Sequence, residues 1–213
     1  MAHESGVGLH DRFTSRLEAF SDLVFGFSLS LLATRLDVPT RPEEIFNVTR
    51  WLAIIGTFAF VCRFWLEHYR IFRHHFVADM TDAVINFVFL FAIAILPYAL
   101  LTFLRFKLNL PAFTLYLGDF ALLLASLGVL RVRSLRQRRH DPDVADRLRQ
   151  WRRSLIQFQV ALILSAYLVA LRLHGGAFTQ AMLDLQIYLL IAFALCVLMA
   201  RLMVRRLPRF LSA

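Results

Sequence analysis

The sequence is short of charge and nearly empty of lysine. Only 18% of its 213 residues are charged, against about a quarter in a typical soluble domain. That scarcity argues against a water-soluble globule. With 59% of the chain hydrophobic, disorder is excluded as well, because it needs low hydrophobicity. Cysteine is scarce too. Cys62 and Cys196 both fall inside apolar runs with no C-x-x-C spacing, so neither zinc nor a redox pair is signalled. Both read as small buried apolar residues. Residues 1–19 hold no apolar core, so no cleavable leader is expected and the first apolar run acts as its own insertion signal. The chain has no metal-ligand set, nucleophile elbow or phosphate loop. It reads as a non-enzyme that needs no cofactor and no metal. The sequon Asn47-Val48-Thr49 is a three-residue match of the kind chance supplies.

What is present is long apolar runs. The mean hydropathy is +0.61. A membrane span needs about 20 predominantly apolar residues, and six runs qualify: about 20–38, 51–71, 84–103, 112–130, 155–173 and 185–204. They are continuous rather than alternating, which disfavours an outer-membrane barrel. The expected fold is all-α: a polytopic membrane protein of six transmembrane helices. Residues 1–19 form a cytoplasmic N-terminal segment and 20–207 a single transmembrane domain. Within it, 131–154 is a basic cytoplasmic loop with a turn at Asp141-Pro142 and Asp143 and a short helix opening at Val144 into the fifth span, and 208–213 is a cytoplasmic tail.

Lys and Arg number 24 against 15 acidic residues, a formal net charge of +9. Nine arginines fall between Arg131 and Arg153, and three more, Arg205, Arg206 and Arg209, lie in the tail. Cytoplasmic loops carry such an excess, so both termini are expected inside. The basic stretch lacks a nucleic-acid-binding motif and has only Trp151 as an aromatic. Its arginines suit anionic headgroups, and no nucleic-acid partner is expected. One lysine among 24 basic residues is the style of a GC-rich bacterial genome, which places the protein in a bacterial inner membrane.

A few ionisable residues break the spans, and such residues suggest function by default. Arg16, Ser21, Asp22, His68 and Asn86 share one depth near the cytoplasmic side. A network locking three helices is the ordinary reading of this cluster, with an ion path second and catalysis last. Ser21 and Asp22 are adjacent, so on a helix they point about 100° apart, a poor arrangement for a triad. His74-His75 has no further ligands at workable spacing. In the first span, Phe27, Ser30, Leu31, Thr34 and Val38 form a stripe with Leu23 at helical spacing. Asp22, Gly26, Leu29 and Ala33 form another face. On spacing alone both are packing surfaces.

The segment Arg16-Leu17-Glu18-Ala19-Phe20-Ser21-Asp22, followed by an apolar helix ending at Val38-Pro39, resembles the signature of the transmembrane protein 175 family of cation channels. Phe64-Trp65-Leu66-Glu67-His68-Tyr69-Arg70 resembles that family's second helix, and Asn86 with Leu96-Pro97 its third. The resemblance covers the first half of the chain by motif and the second half by span count. It implies a homotetramer of six-helix subunits whose first helices line a central pore. The implied ion is potassium, with other monovalent cations or protons as further candidates, and membrane lipids are the surroundings. The usual Thr-Val-Gly-Tyr-Gly filter is absent. Carried over by position, the pore constriction falls on Phe27 and Leu31, with Ser30 and Thr34 as pore-lining hydroxyls. Arg16, Phe20, Ser21 and Asp22 become the signature network, packed against Trp65, His68 and Asn86. Phe27 stands where family members usually carry Ile or Leu, and Arg35 and Asp37 reverse the family's acidic-then-basic order. Two other functions fit the residues. One is a proton-coupled transporter or proton pathway using Asp22 and His68. The other is a non-conducting assembly protein whose working surface is the basic loop.

Overall fold

The computed structural model describes residues 4–34, 48–73, 76–106, 109–137 and 144–174, together with Leu198 and Leu202. All regular structure among them is helical: α1 (Glu4–Thr34), α2 (Val48–Phe72), α3 (Met80–Arg105), α4 (Leu110–Gln137) and α5 (Val144–His174). Four of these, α1 from Arg12, α3, α4 and α5 from Asp146, are long and apolar enough to cross a membrane. Among the described residues, the helix over the expected second span, α2, is not one of the four. It has 25 residues and carries Arg63, Glu67 and Arg70 toward its C-terminal end. Apart from Leu198 and Leu202, the expected sixth span lies outside the described residues, as do Arg35, Asp37, Val38, His74, His75 and Cys196.

The chain divides into two compact units, Met1–Thr102 and Phe103–Ala213. In the first, α1 and α3 run parallel. Three hydroxyls on α1, at Thr14, Ser21 and Ser28, recur every seven residues, which is about 10.5 Å along a helix. Each meets a polar group near or on α3. The Ala78 backbone N–H donates to Thr14 Oγ1 at 2.9 Å, and Asn86 Nδ2 donates to Ser21 Oγ at 2.9 Å. Ser28 Oγ donates to the Ile93 carbonyl at 2.8 Å. Partner numbers rise together along both chains, so the helices point the same way. A seven-residue repeat keeps one seam facing its neighbour over several turns. Leu17, Phe25 and Leu32 fill the spaces between the hydroxyls, each at most 5% exposed.

The rung at Ile93 has a covalent cause. Pro97 sits inside α3 and lacks the N–H that would bond the carbonyl four residues earlier. That carbonyl is Ile93's, and Ser28 satisfies it. The start of α3 is closed by a reciprocal pair. The Asp79 N–H donates to Asp82 Oδ2 at 3.0 Å, and the Asp82 N–H donates to Asp79 Oδ1 at 2.7 Å. This is a capping box with aspartate in both places, and its charge suits the positive end of the helix dipole.

In the second unit α4 and α5 pack antiparallel. Phe113 meets Tyr167 edge-on at 6.1 Å, Gly128 lies against the Phe158 ring, and Arg131 Nη1 donates to Gln157 Oε1 at 2.7 Å. Partner numbers fall as α4 rises. A core of Phe113, Tyr167 and Leu171 is flanked by Phe103, Leu110, Leu117 and Leu168. Asn109 caps α4, its Oδ1 accepting from the Ala112 N–H at 3.3 Å. The stretch 131–154, expected as a loop, departs from that at its start, where α4 continues to Gln137, while α5 opens at Val144, where the sequence suggests a helix start. Helices of 28 and 31 residues measure about 42 and 46 Å, longer than a hydrocarbon core of about 30 Å. The extra turns carry the arginines.

A Cβ at Gly128 would stand 3.2 Å from Phe158 Cζ. Gly128→Leu is expected to destabilise the protein by about 1–3 kcal/mol through overpacking. Thermal unfolding of the detergent-purified protein reads this as a lower midpoint.

Candidate pore-lining helix and its support

One side of α1 is held by the hydroxyl ladder. Phe25 and Asp22 turn toward His68 and Trp65 of α2, and a further face of α1 is left uncovered. Leu23 is 72% exposed and Phe27 59%, Ser30 and Thr34 are exposed, and Leu31 is half-buried. The five residues of the expected stripe that are described therefore lie on the uncovered side, Leu31 at its edge. The Thr34 hydroxyl donates to the Leu31 carbonyl at 3.2 Å, within its own helix, which leaves its oxygen able to accept. Gly26 also faces open space, since a Cβ there would meet nothing within 4 Å.

The residues expected in the signature network separate into distinct groups. Ser21, Asn86 and His68 form one chain. The Leu17 carbonyl can only accept, so Ser21 Oγ donates to it at 2.7 Å. Ser21 Oγ then accepts from Asn86 Nδ2. That fixes the amide, so Asn86 Oδ1 faces His68 Nε2 at 2.8 Å. An amide oxygen accepts, so His68 carries its proton on Nε2. The three side chains are at most 1% exposed. Aromatic rings enclose the imidazole: Phe72 stacks on it at 4.5 Å, Phe89 at 5.6 Å and nearly parallel, and Phe25 meets it edge-on at 5.8 Å. The chain ends on a backbone carbonyl and ties α1, α2 and α3 together.

Asp22 belongs elsewhere. It points away from Ser21 and accepts from Trp65 Nε1 at 2.8 Å on an exposed part of the surface. Trp65 stacks on Tyr69 at 5.8 Å. Phe20 is 47% exposed and meets Phe87 of α3 edge-on at 5.8 Å. Arg16 is exposed, and no described residue hydrogen-bonds or ion-pairs with it. Among the described residues, neither Arg16 nor Phe20 shares a hydrogen bond, ion pair or ring contact with Trp65, His68 or Asn86.

Sequence reasoning missed the hydroxyl ladder and Asp119, and it marked Glu67 and Arg63 as charges within the second span without foreseeing their pairing. Thr14 and Ser28 extend the Ser21 contact into a ladder, and their seven-residue spacing was the available signal. Glu67 is buried on α2 and pairs with Arg63 one turn before it and with Arg70 at 2.6 Å. Spacings of three and four residues place such charges together. Asp119 is buried on α4, and its position within an apolar run was the signal. Among the described residues no group of three His, Cys, Asp or Glu side chains could hold a metal ion.

Four apolar helices of spanning length make this a multi-pass membrane protein. Residues 16–97 match the family model described as the endosomal/lysosomal potassium channel TMEM175. That segment runs from Arg16 to Pro97 and takes in the ladder from Ser21 onward, the His68 chain and the open face of α1. The resemblance read from the signature segments holds over this part of the chain. A relative from Marivirga tractuosa, named "Potassium channel", is 27% identical over 110 residues, 48% of this chain and 44% of that protein. The chain thus spans less than half the length of that relative. No solved structure matches.

Asn86→Ala is expected to lower stability by about 1–3 kcal/mol, because it leaves His68 and Ser21 buried without their partner. Trp65→Phe removes only an exposed bond and should cost less than about 1 kcal/mol. Unfolding midpoints of the two variants in one detergent compare them directly.

Proposed function

We propose that the chain is the subunit of a cation channel, permeable to potassium, in which four copies of α1 surround a central pore. The observation that carries this reading is the two-sided character of α1. One side is fixed to α3 by the ladder, and the other leaves Leu23, Phe27, Ser30 and Thr34 uncovered. The family match over residues 16–97 and the relative named as a potassium channel support it. One helix cannot enclose a path, so the reading requires self-association as a homotetramer.

Phe27 and Leu31 form the constriction. A ring of apolar side chains holds water poorly, so small changes in its width switch it between dry and wet. Ser30 and Thr34 lie on the same side within two turns and offer hydroxyl oxygens in place of part of a hydration shell. Weak contacts of this kind let an ion leave as readily as it enters. The protein sits in a bacterial inner membrane with both termini in the cytoplasm. The arginines near the ends of α4 and α5 then lie at the inner headgroups.

Liposomes carrying the purified full chain should release potassium faster than empty vesicles. Phe27→Ala should raise that flux several-fold by removing the widest apolar ring. Vesicles no leakier than empty ones, over a range of pH and voltage, would overturn the channel reading. A conducting protein unaffected by Phe27→Ala would move the constriction to another ring.

A further inference from the structure

Asp119 has no part in the pore reading. It lies on α4, beyond the segment that matches the family model. It follows Leu110 by nine residues, about 14 Å along the helix, close to the middle of a hydrocarbon core of about 30 Å. Only 7% of the residue is exposed. Its neighbour Gly118 faces Leu168 of α5, with 3.9 Å between a Cβ there and the leucine methyl.

The carboxyl oxygen Oδ2 is buried with no hydrogen-bond partner among the described residues. Among the described residues, α4 and α5 supply no countercharge near it. On α4, Asp119 is the only charged residue from Leu110 to Leu130. Tyr116, one turn earlier, can titrate, and its ring stacks on Phe103. On α5 no charged residue lies between Arg153 and Arg172, and the only titratable one is Tyr167, whose ring packs against Phe113. Arg131 is twelve residues further along α4, about 18 Å away, and donates to Gln157. At the other end Arg105 is exposed, 5.8 Å over the Phe106 ring.

An ionised carboxylate in such surroundings loses its hydration with nothing in return, whereas a neutral acid loses far less. We propose that Asp119 is a proton-binding site in the middle of the α4–α5 hairpin, the bound proton letting the two helices close over the carboxyl and its release opening the seam to water. The native hairpin then holds a proton that the unfolded chain gives up, so its stability falls as pH rises. This inference does not depend on the channel reading. It rests on α4 crossing the membrane.

The test uses the full chain in phosphatidylcholine vesicles. Near neutral pH the infrared spectrum should contain a protonated carboxylic-acid carbonyl band that Asp119→Asn removes. Between about pH 6 and pH 9 the wild-type unfolding midpoint should drop by roughly 2–4 °C or more. D119N, which mimics the neutral acid, should hold its midpoint nearly level, and Asp119→Glu should keep the pH dependence. An infrared spectrum unchanged by D119N, or an equal midpoint drop in D119N and wild type, would overturn the proposal. So would a D119N protein that fails to fold at any pH while D119E folds, because the carboxylate would then be the ionised partner of a basic group.

Discussion

A polar group inside a bilayer has no water to turn to, and the first unit is organised around that constraint. Pro97 makes the constraint acute, because it leaves the Ile93 carbonyl without its helical partner. The hydroxyl of Ser28 reaches across from α1 to take it. Ser21 and Thr14 sit seven and fourteen residues earlier and engage Asn86 and the Ala78 backbone in the same manner. The three contacts together fix direction and register. A shift of α1 by one residue would break all of them at once.

That fixed register gives the open side of α1 its meaning. With the ladder on one side, Leu23, Phe27, Ser30 and Thr34 can only face away from α3. Lipid could cover the two large apolar residues at no cost, but it offers nothing to the Ser30 hydroxyl. The proposed channel reading takes this side, with its bulky apolar groups and hydroxyls, as the lining of a narrow aqueous path. The aromatic enclosure of His68 contributes rigidity from behind, because the imidazole is held by Asn86 on one edge and by ring stacking on its faces.

The second unit follows another logic. Its seam depends on close approach: Gly128 admits the Phe158 ring, and Leu123, Leu127 and Leu130 are wholly buried. Polar groups are concentrated toward the arginine-rich end, where Arg131 and Gln157 satisfy each other. Asp119 stands apart from them, deep in the apolar part. The two units thus treat buried polarity differently: Ser21, Asn86 and His68 are paired in the first, whereas in the second Asp119 Oδ2, Ser134 Oγ and Gln159 Oε1 are buried with no hydrogen-bond partner among the described residues.

Much of the fold was legible in the sequence, since long continuous apolar runs dictate helices wherever the backbone must satisfy its own hydrogen bonds. Helix ends were less legible. The arginines after Leu130 read as loop because charge ends an apolar run, yet charge does not end a helix, and α4 and α5 carry it beyond the hydrocarbon. Within the site, shared depth grouped Arg16, Ser21, Asp22, His68 and Asn86, and hydrogen bonds join three of them, Ser21, Asn86 and His68. Depth could not separate Asp22 from them, since adjacent residues share a depth while pointing in different directions. The sequence by itself determined the class of protein, the four spans over α1, α3, α4 and α5 and the stripe on α1, all of which follow from local composition and helical period. Only the tertiary structure decided which side of α1 is bound, that Arg16 and Phe20 stand outside the buried chain, and that Asp119 has no partner among the described residues. Those facts depend on which side chains meet across helices 65 residues apart in sequence, and local pattern carries no information about that.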